Sequence, residues 1–411
     1  MVSMRWMHKI RLYATPSQER RLWHVLHTTR HLNNAALQER KDAYRMRGVS
    51  VSAKMQYAEL TALRADDPGV RSIYRECQDA ILHRLDLAFA AFFRRIKRGD
   101  TPGFPRFRAA SRWKQIEFPH GDRALKLNAA QTKVRVAGVG TVAMRKGRAV
   151  PAFGRAFVVE KNGRWYAVFE CECECEAVPL ERTRAVVGLD CGITELLATS
   201  DGALFANPRH IAARAEKSAA AGRVVAARTV RDRRGRCTSW HDPARVAAVK
   251  RLARAKEREA DARRDALHKL SRRIVNDYDG IAVEALVIRN MMRSAKGTVE
   301  EPGRNVAAKS GLNRGIADAG WGTLVTLIRE KAESAGRVVV SVDPKNTSRC
   351  CAQCGHIAAD SRDGVRFACV KCGHRDHADV NAARVILQRA QLALLSALSP
   401  GSTRLRQHDA G

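Results

Sequence analysis

Two Cys-x-x-Cys pairs, Cys351/Cys354 and Cys369/Cys372, stand with fourteen residues between the inner cysteines. A Cys-x-x-Cys turn supplies two adjacent tetrahedral corners, and two such turns at this spacing close a loop on a single zinc ion. Four thiolates leave no open coordination position, so the pattern predicts a structural zinc ribbon rather than a catalytic metal. Cys350, beside Cys351, is an alternative ligand. Immediately after the second pair comes RDHADVNAA, where Asp379 opens an apolar helical run. A carboxylate at the start of so apolar a helix needs a partner.

Charge narrows the function. Seventy-four Lys and Arg against forty-two Asp and Glu leave +32 on 411 residues, far beyond what solubility requires, and the natural partner of such a surface is a polyphosphate. A merely adhesive basic protein is the bland alternative. The zinc pattern claims four or five of the eleven cysteines, and the opening MVSMRWMHKIRLYATP has no apolar signal core, which predicts a reducing, cytoplasmic setting. No run of eighteen apolar residues predicts a membrane span. No Ser-His-Asp order, phosphate-binding glycine loop or HExxH motif competes for the chemistry.

In chain order, Trp6 to Tyr13 predicts a strand, and Thr15-Pro16 starts a long basic helix. A second helical region runs from about Met55 to Lys97. Near its end Phe89, Phe92 and Phe93 recur at helical spacing beside arginines, a pattern read as core rather than a base-stacking row. The stretch DTPGFPRFR breaks the helix. From Trp113 to Glu176 the residues alternate as in strands, with Asn162-Gly163 marking a hairpin. Cys171, Cys173 and Cys175 fall on one strand face as small buried side chains, too far apart along the strand for one tetrahedral ion. Arg182 to Phe205 reads as two strands joined at Asp201-Gly202, with Asp190 inside the first. Residues 211–275 are helical and carry nineteen Lys or Arg against seven Asp or Glu, with a loop at Arg231 to Asp242. Tyr278 to Leu286 is an apolar strand holding Glu284, followed by a polar connection, the helix Trp321 to Gly336 and the strand RVVVSVDP. This order predicts an α/β layered domain.

Asp190, Glu284 and Asp379 lie 94 and 95 residues apart, each on an apolar strand or at the opening of a terminal helix. If they converge at one sheet edge, their charges repel unless a divalent cation neutralises them. Carboxylate oxygens suit magnesium, and two ions about 3.5–4 Å apart would activate a water and stabilise a leaving 3′ oxygen. The pattern points to metal-dependent hydrolysis of nucleic acid.

The segments GLDCGITELLATSDG, IAVEALVIRNMM, NTSRCCAQCGH, FACVKCGH and ADVNAA, in that order, resemble the RuvC-type nuclease of the TnpB family of transposon-associated proteins, kin to compact type V CRISPR effectors. RLYATPSQERRL, NNAALQERKDAYR and PGFPRFR extend the resemblance over nearly the whole chain. It implies an α/β RNase H-like (RuvC) nuclease domain at 182–345 and 375–411, with a target-binding zinc ribbon inserted at 346–374. It also implies a wedge β-barrel from 1–14 and 112–181, interrupted by a helical recognition domain at 15–111. Asp190, Glu284 and Asp379 would be the catalytic magnesium ligands. The partners implied are a noncoding guide RNA, target double-stranded DNA and its displaced strand, with a short motif read beside the target. Ala285 stands where relatives often carry an Asp, and Cys191 where a smaller or apolar residue is commoner, but all three acids are intact. A nuclease-silent guided repressor and an unguided transposition accessory are the competing readings.

Overall fold

The computed structural model describes residues 2–175, 183, 185–298 and 301–398, in two units, Met1–Cys175 and Glu176–Gly411. The expected boundary at 181–182 and the tail beyond 398 fall outside the described residues.

In the first unit, strand β1 (Val2–Tyr13) is longer than the sequence suggests and pairs antiparallel along nearly its whole length with β7. After β1, Thr15 and Gln18 form a reciprocal capping box ahead of Pro16, which starts α1 (Pro16–Arg47). The helical region expected as one piece is three helices, α2 (Ala53–Asp66), α3 (Pro68–Arg71) and α4 (Arg75–Lys97). The break has a local cause: Asp67 turns its carboxylate onto the amides of Gly69 and Val70, and Pro68 cannot continue the preceding helix. Phe89 packs on the core between α1, α2 and α4, but Phe93 is 55% exposed, so the aromatic row is core only at its first member; Phe92 and Phe93 join Phe104 in an edge-on cluster.

The strands that follow are β2 (Gln115–Phe118), β3 (Leu125–Leu127) after the short α5 (Gly121–Ala124), β4 (Lys133–Val136), β5 (Gly140–Met144), β6 (Phe153–Lys161) and β7 (Arg164–Cys175). They form one antiparallel sheet in the order β2-β6-β7-β1-β5-β4-β3. Asn162 and Gly163, both at positive φ, turn β6 into β7. The sheet wraps a core of Ile10, Phe118, Val134, Trp165 and Phe169, closed by Leu22 and Leu26 of α1. Cys171 is fully buried in it; the side chains of Cys173 and Cys175 are outside what is described.

The second unit opens with β8 (Val186–Asp190), β9 (Glu195–Thr199) and β10 (Leu204–Ala206), an antiparallel meander. Two strands were expected here; there are three, because the chain turns directly after Asp190. Helices α6 (His210–Ala227) and α7 (Pro243–Asp277) lead to β11 (Gly280–Glu284). Then come α8 (Ile288–Met291), α9 (Val306–Ala319), α10 (Trp321–Ser334) and β12 (Val338–Val342). The small strands β13 (Arg362–Asp363), β14 (Arg366–Ala368) and β15 (Arg375–His377) form a separate sheet, and α11 (Ala378–Leu398) closes the described chain.

The main sheet runs β10-β9-β8-β11-β12, with β8, β11 and β12 parallel. Strand periodicity assigns its faces. Val187, Leu189, Ile281 and Val283 face a core built with Leu267 and Ile274 of α7 and Leu324 and Ile328 of α10. Ala282 and Val342 face Ile386, Ala390 and Leu394 of α11 on the other side. Gly188 is where α11 comes closest: a Cβ there would stand 2.0 Å from the Ala383 carbonyl oxygen, so only glycine lets the helix seat on β8.

Candidate functional site

The two-residue period that puts Leu189 and Val283 into one core puts Asp190 and Glu284 on the opposite face, the one α11 covers. Leu189 is paired with Val283 in register, so the two acids are side by side at the carboxyl ends of adjacent parallel strands. The first turn of α11 brings Asp379 to the same end, with its Oδ2 3.5 Å from where a Cβ on Gly192 would sit. Asp190 is not in mid-strand, as the apolar run suggested, but at the last strand position. Gly192 turns the chain away from it, since any Cβ would meet the Glu195 carbonyl oxygen at 2.5 Å, and the indole of Trp321 donates to the Gly192 carbonyl at 3.0 Å.

The electrostatics follow from this convergence. Burial first, then the charges of Glu284 and Asp379, push the Asp190 carboxyl up to about 7, against the pull of Arg362. Burial also raises Glu284, although Thr347 and Arg389 oppose it. Each remaining acid has one strong partner from the segment between β12 and α11. Thr347 donates its hydroxyl to Glu284 at 2.5 Å, and Arg362 donates to Asp379 at 2.7 Å. A buried carboxyl that neighbouring acids force towards neutrality is what a hard divalent cation relieves, so the three oxygen donors fit magnesium in kind. Burial pushes the Cys191 thiol far up as well, leaving it inert beside the acids.

The four cysteines also converge. Sγ separations are 3.8 Å for Cys351–Cys372 and 3.7 Å for Cys354–Cys369. A tetrahedron with Zn–S of about 2.3 Å has edges of about 3.8 Å, so the set fits zinc. The two turns are built alike. In each, the first cysteine's amide bonds to the carbonyl of the following His, and a glycine at φ near +70° returns its amide to that cysteine's carbonyl. Cys350 lies outside the set, its thiol directed at the Gly355 carbonyl, so Cys351 is the ligand position. Among the described residues, these cysteines are the only group of three or more His, Cys, Asp or Glu side chains with donor atoms within 4.8 Å of one another; Asp190, Glu284 and Asp379 share one end of the sheet but are spaced more widely than that.

Asn381 ties the two centres together. Its side chain accepts from the Ala352 amide at 2.9 Å and donates to the Cys350 carbonyl at 2.7 Å, clasping the first cysteine turn one helical step from Asp379. Arg389 holds the Asp343 and Lys345 carbonyls on the same side. Thr347, Arg362 and Asn381 are site residues that sequence reasoning missed. A threonine in NTS or an arginine in a polar hairpin carries no local signal, because the hairpin must first fold back over the sheet edge.

The first unit offers a different kind of site. A cavity of about 240 Å³ is lined by Arg84, Arg106, Arg108, Arg112 and Lys114 around Leu85 and Trp113, with no acid in its wall. Burial lowers the Arg84 guanidinium, opposed by Glu117, its ion-pair partner at 3.6 Å, and reinforced by Arg108; Arg84 lies over the Trp113 ring at 4.8 Å. A half-buried cationic wall of this kind suits phosphate.

Comparison with known proteins places these features. A "Probable transposase" family model matches residues 168–295, a "Cas12f1-like, TNB domain" model 321–386 and a "Helix-turn-helix domain" model 1–48. In the structure, 1–48 is one strand and one long helix. The chain is 33% identical over 315 residues to the "Putative RNA-guided DNA endonuclease InsQ" of Escherichia coli (strain K12), spanning 76% of this chain and 74% of that protein. It is 29% identical to a protein of the same description from Streptomyces pristinaespiralis, over 92% and 88% of the two chains. A solved structure, the mini-RNA-guided endonuclease CRISPR-Cas_phi3, shares the fold at a TM-score of 0.53 with 11% identity, over 98% and 94% of the chains.

Proposed function

Because the chain belongs to the TnpB family of transposon-associated proteins, we propose that it is an RNA-guided DNA endonuclease with one metal-dependent site at Asp190, Glu284 and Asp379. The observation that carries this reading is the gathering of three acids at one end and on one face of the sheet, with Asp190 pushed to about 7 by burial and by the other two. The second unit is then a RuvC, RNase H-like nuclease, with its zinc ribbon at 346–374 inserted between β12 and α11. The wedge barrel is then 1–14 and 112–181, with the antiparallel sheet as its described part, and the recognition domain is 15–111.

Asp190, Glu284 and Asp379 would hold magnesium, as two ions, which when bound would supply water activation and charge neutralisation at the scissile phosphate. The chain's own groups do the rest. Thr347 fixes the rotamer of Glu284, and Arg362 holds Asp379 while presenting a cation beside the acids. Asn381 and zinc keep the ribbon seated against α11, which aligns the substrate groove with Asp379. Guide RNA supplies sequence selectivity by pairing with the target strand. The protein grips the heteroduplex, target duplex and displaced strand through cationic surfaces such as the Arg84–Arg112 cavity. No helix among the described residues is long and apolar enough to cross a membrane, and a cytoplasmic nucleoprotein fits this reading.

The test uses the purified ribonucleoprotein, a matched plasmid and magnesium, with Asp190→Ala alongside. Wild type should linearise the plasmid while the variant binds and does not cut. Binding without cutting by the wild type would instead favour the guided repressor, and a protein that carries no discrete RNA the unguided accessory.

A further inference from the structure

The arginine run between α6 and α7, a loop by sequence, is a folded tip. Arg231 and Cys237 pair as an antiparallel bridge, and Asp232 accepts the amides of Arg234 and Arg236 at 2.9 and 2.8 Å. The Ser239 hydroxyl ties the Val230 amide to the Arg228 carbonyl, and Arg245 reaches back from α7 to Thr229 at 3.0 Å. Below the tip the two helices are pinned by Ser218 donating to Glu259. The base of the tip is thus satisfied internally.

What it presents outward is not. Trp240 is 59% exposed and Val230 61%, while Arg233 and Arg234 are exposed and form no ion pair among the described residues. An indole normally serves as core. Here it stands exposed at the base of a hydrogen-bonded tip, with the ring of His241 against it. An exposed aromatic ring on the same folded tip as exposed guanidinium groups suits an unpaired base stacked on the ring, with the neighbouring phosphates met by the cations. Duplex DNA keeps its bases stacked, whereas the loops and bulges of a folded RNA offer them, as does a displaced DNA strand, and the experiment below separates these two.

We propose that this tip docks the structured, noncoding part of the guide RNA, with Trp240 stacking on an unpaired base and Arg233 and Arg234 meeting its phosphates. The proposal rests on the guided-nuclease reading and adds a site to it.

The experiment takes the RNA that copurifies with the full chain, transcribes it in vitro, and measures its binding to wild type, Trp240→Ala, Trp240→Phe and the double variant Arg233→Gln/Arg234→Gln. Parallel titrations use a single-stranded DNA oligonucleotide. Trp240→Ala should weaken RNA binding about tenfold and Trp240→Phe restore most of it, as stacking predicts. The double variant should also lower the salt dependence by about 1.4 in slope, at about 0.7 per charge. Single-stranded DNA affinity and melting temperature should not change. Unchanged RNA binding in both variants overturns the proposal, and so does a loss confined to single-stranded DNA, which would assign the tip to the displaced strand. Wild-type protein that holds no RNA at all would remove the guided reading itself, an outcome separable from failure of the tip alone.

Discussion

The molecule carries two sets of candidate metal donors within one unit, and they are assembled in opposite ways. The four cysteines come from two short turns of the same design, each folding on its own backbone bonds, and they close on one another with sulfurs 3.7–3.8 Å apart. The three acids come from two strands and a helix separated by 94 and 95 residues, and their positions depend on sheet register and on how closely α11 sits over Gly188. The first set is soft, complete and self-contained. The second is hard, strained by its own charge and held by outside hydroxyl and guanidinium groups. Local assembly gives a staple, whereas assembly across the sheet makes the position of each acid depend on the register of the strands and the seating of α11.

This contrast can be broken most sharply at the acids. Asp190→Ala, Glu284→Ala or Asp379→Ala should each lower plasmid cleavage by on the order of 10³-fold while leaving RNA binding and zinc content intact. Loss of RNA binding in all three would make them structural groups instead. Next in size, Cys354→Ser should release zinc, measured by metal analysis, and lower cleavage about 10²-fold through loss of the ribbon, because metal binding and folding of such a module are one equilibrium. Full zinc content in that variant would argue against the four-cysteine set.

Smaller effects fall on the groups that link the centres. Thr347→Val and Arg362→Gln should each cost about 10–100-fold in cleavage, with raised magnesium recovering part of the loss. Magnesium-independent losses would mean that these residues serve only the fold.

The smallest effect is on stability. The native fold without magnesium keeps a proton on Asp190 up to about pH 7, which the unfolded chain releases near pH 4. The native state therefore binds more protons in that window, and stability must fall as pH rises from 4 to 7, by on the order of a few kcal/mol. Asp190→Asn should remove this loss, raising the melting temperature of the metal-free protein by about 5 °C above pH 7 and leaving it unchanged below pH 4. Equal curves for the two proteins would mean that burial and the neighbouring acids do not hold a proton on Asp190.

What the sequence reveals follows the same division. The cysteine turns are legible because their spacing is their geometry. Asp190, Glu284 and Asp379 are legible as acids in apolar surroundings, which betrays a partner without giving its place. The end of β8 was not legible, because VVGLDCGITELLAT reads as one apolar run; the turn depends on Gly192 lying against Glu195 and Trp321, contacts made only after the sheet forms. Thr347, Arg362 and Asn381 were hidden for the same reason. The break between α2 and α4, by contrast, has a local signal in the sequence itself, Asp67-Pro68, at the point where the first of the helices ends.

The placement of Asp379 on α11 has a consequence for the moment of synthesis. It leaves the ribosome 189 residues after Asp190, a delay of about 10–40 s at ordinary elongation rates. Until that helix emerges and seats on Gly188, the nascent chain holds two of three acids and no complete centre. On the proposed assignment a chain stalled before Ala378 should cut nothing, and completion of the last helix is the event that arms the nuclease.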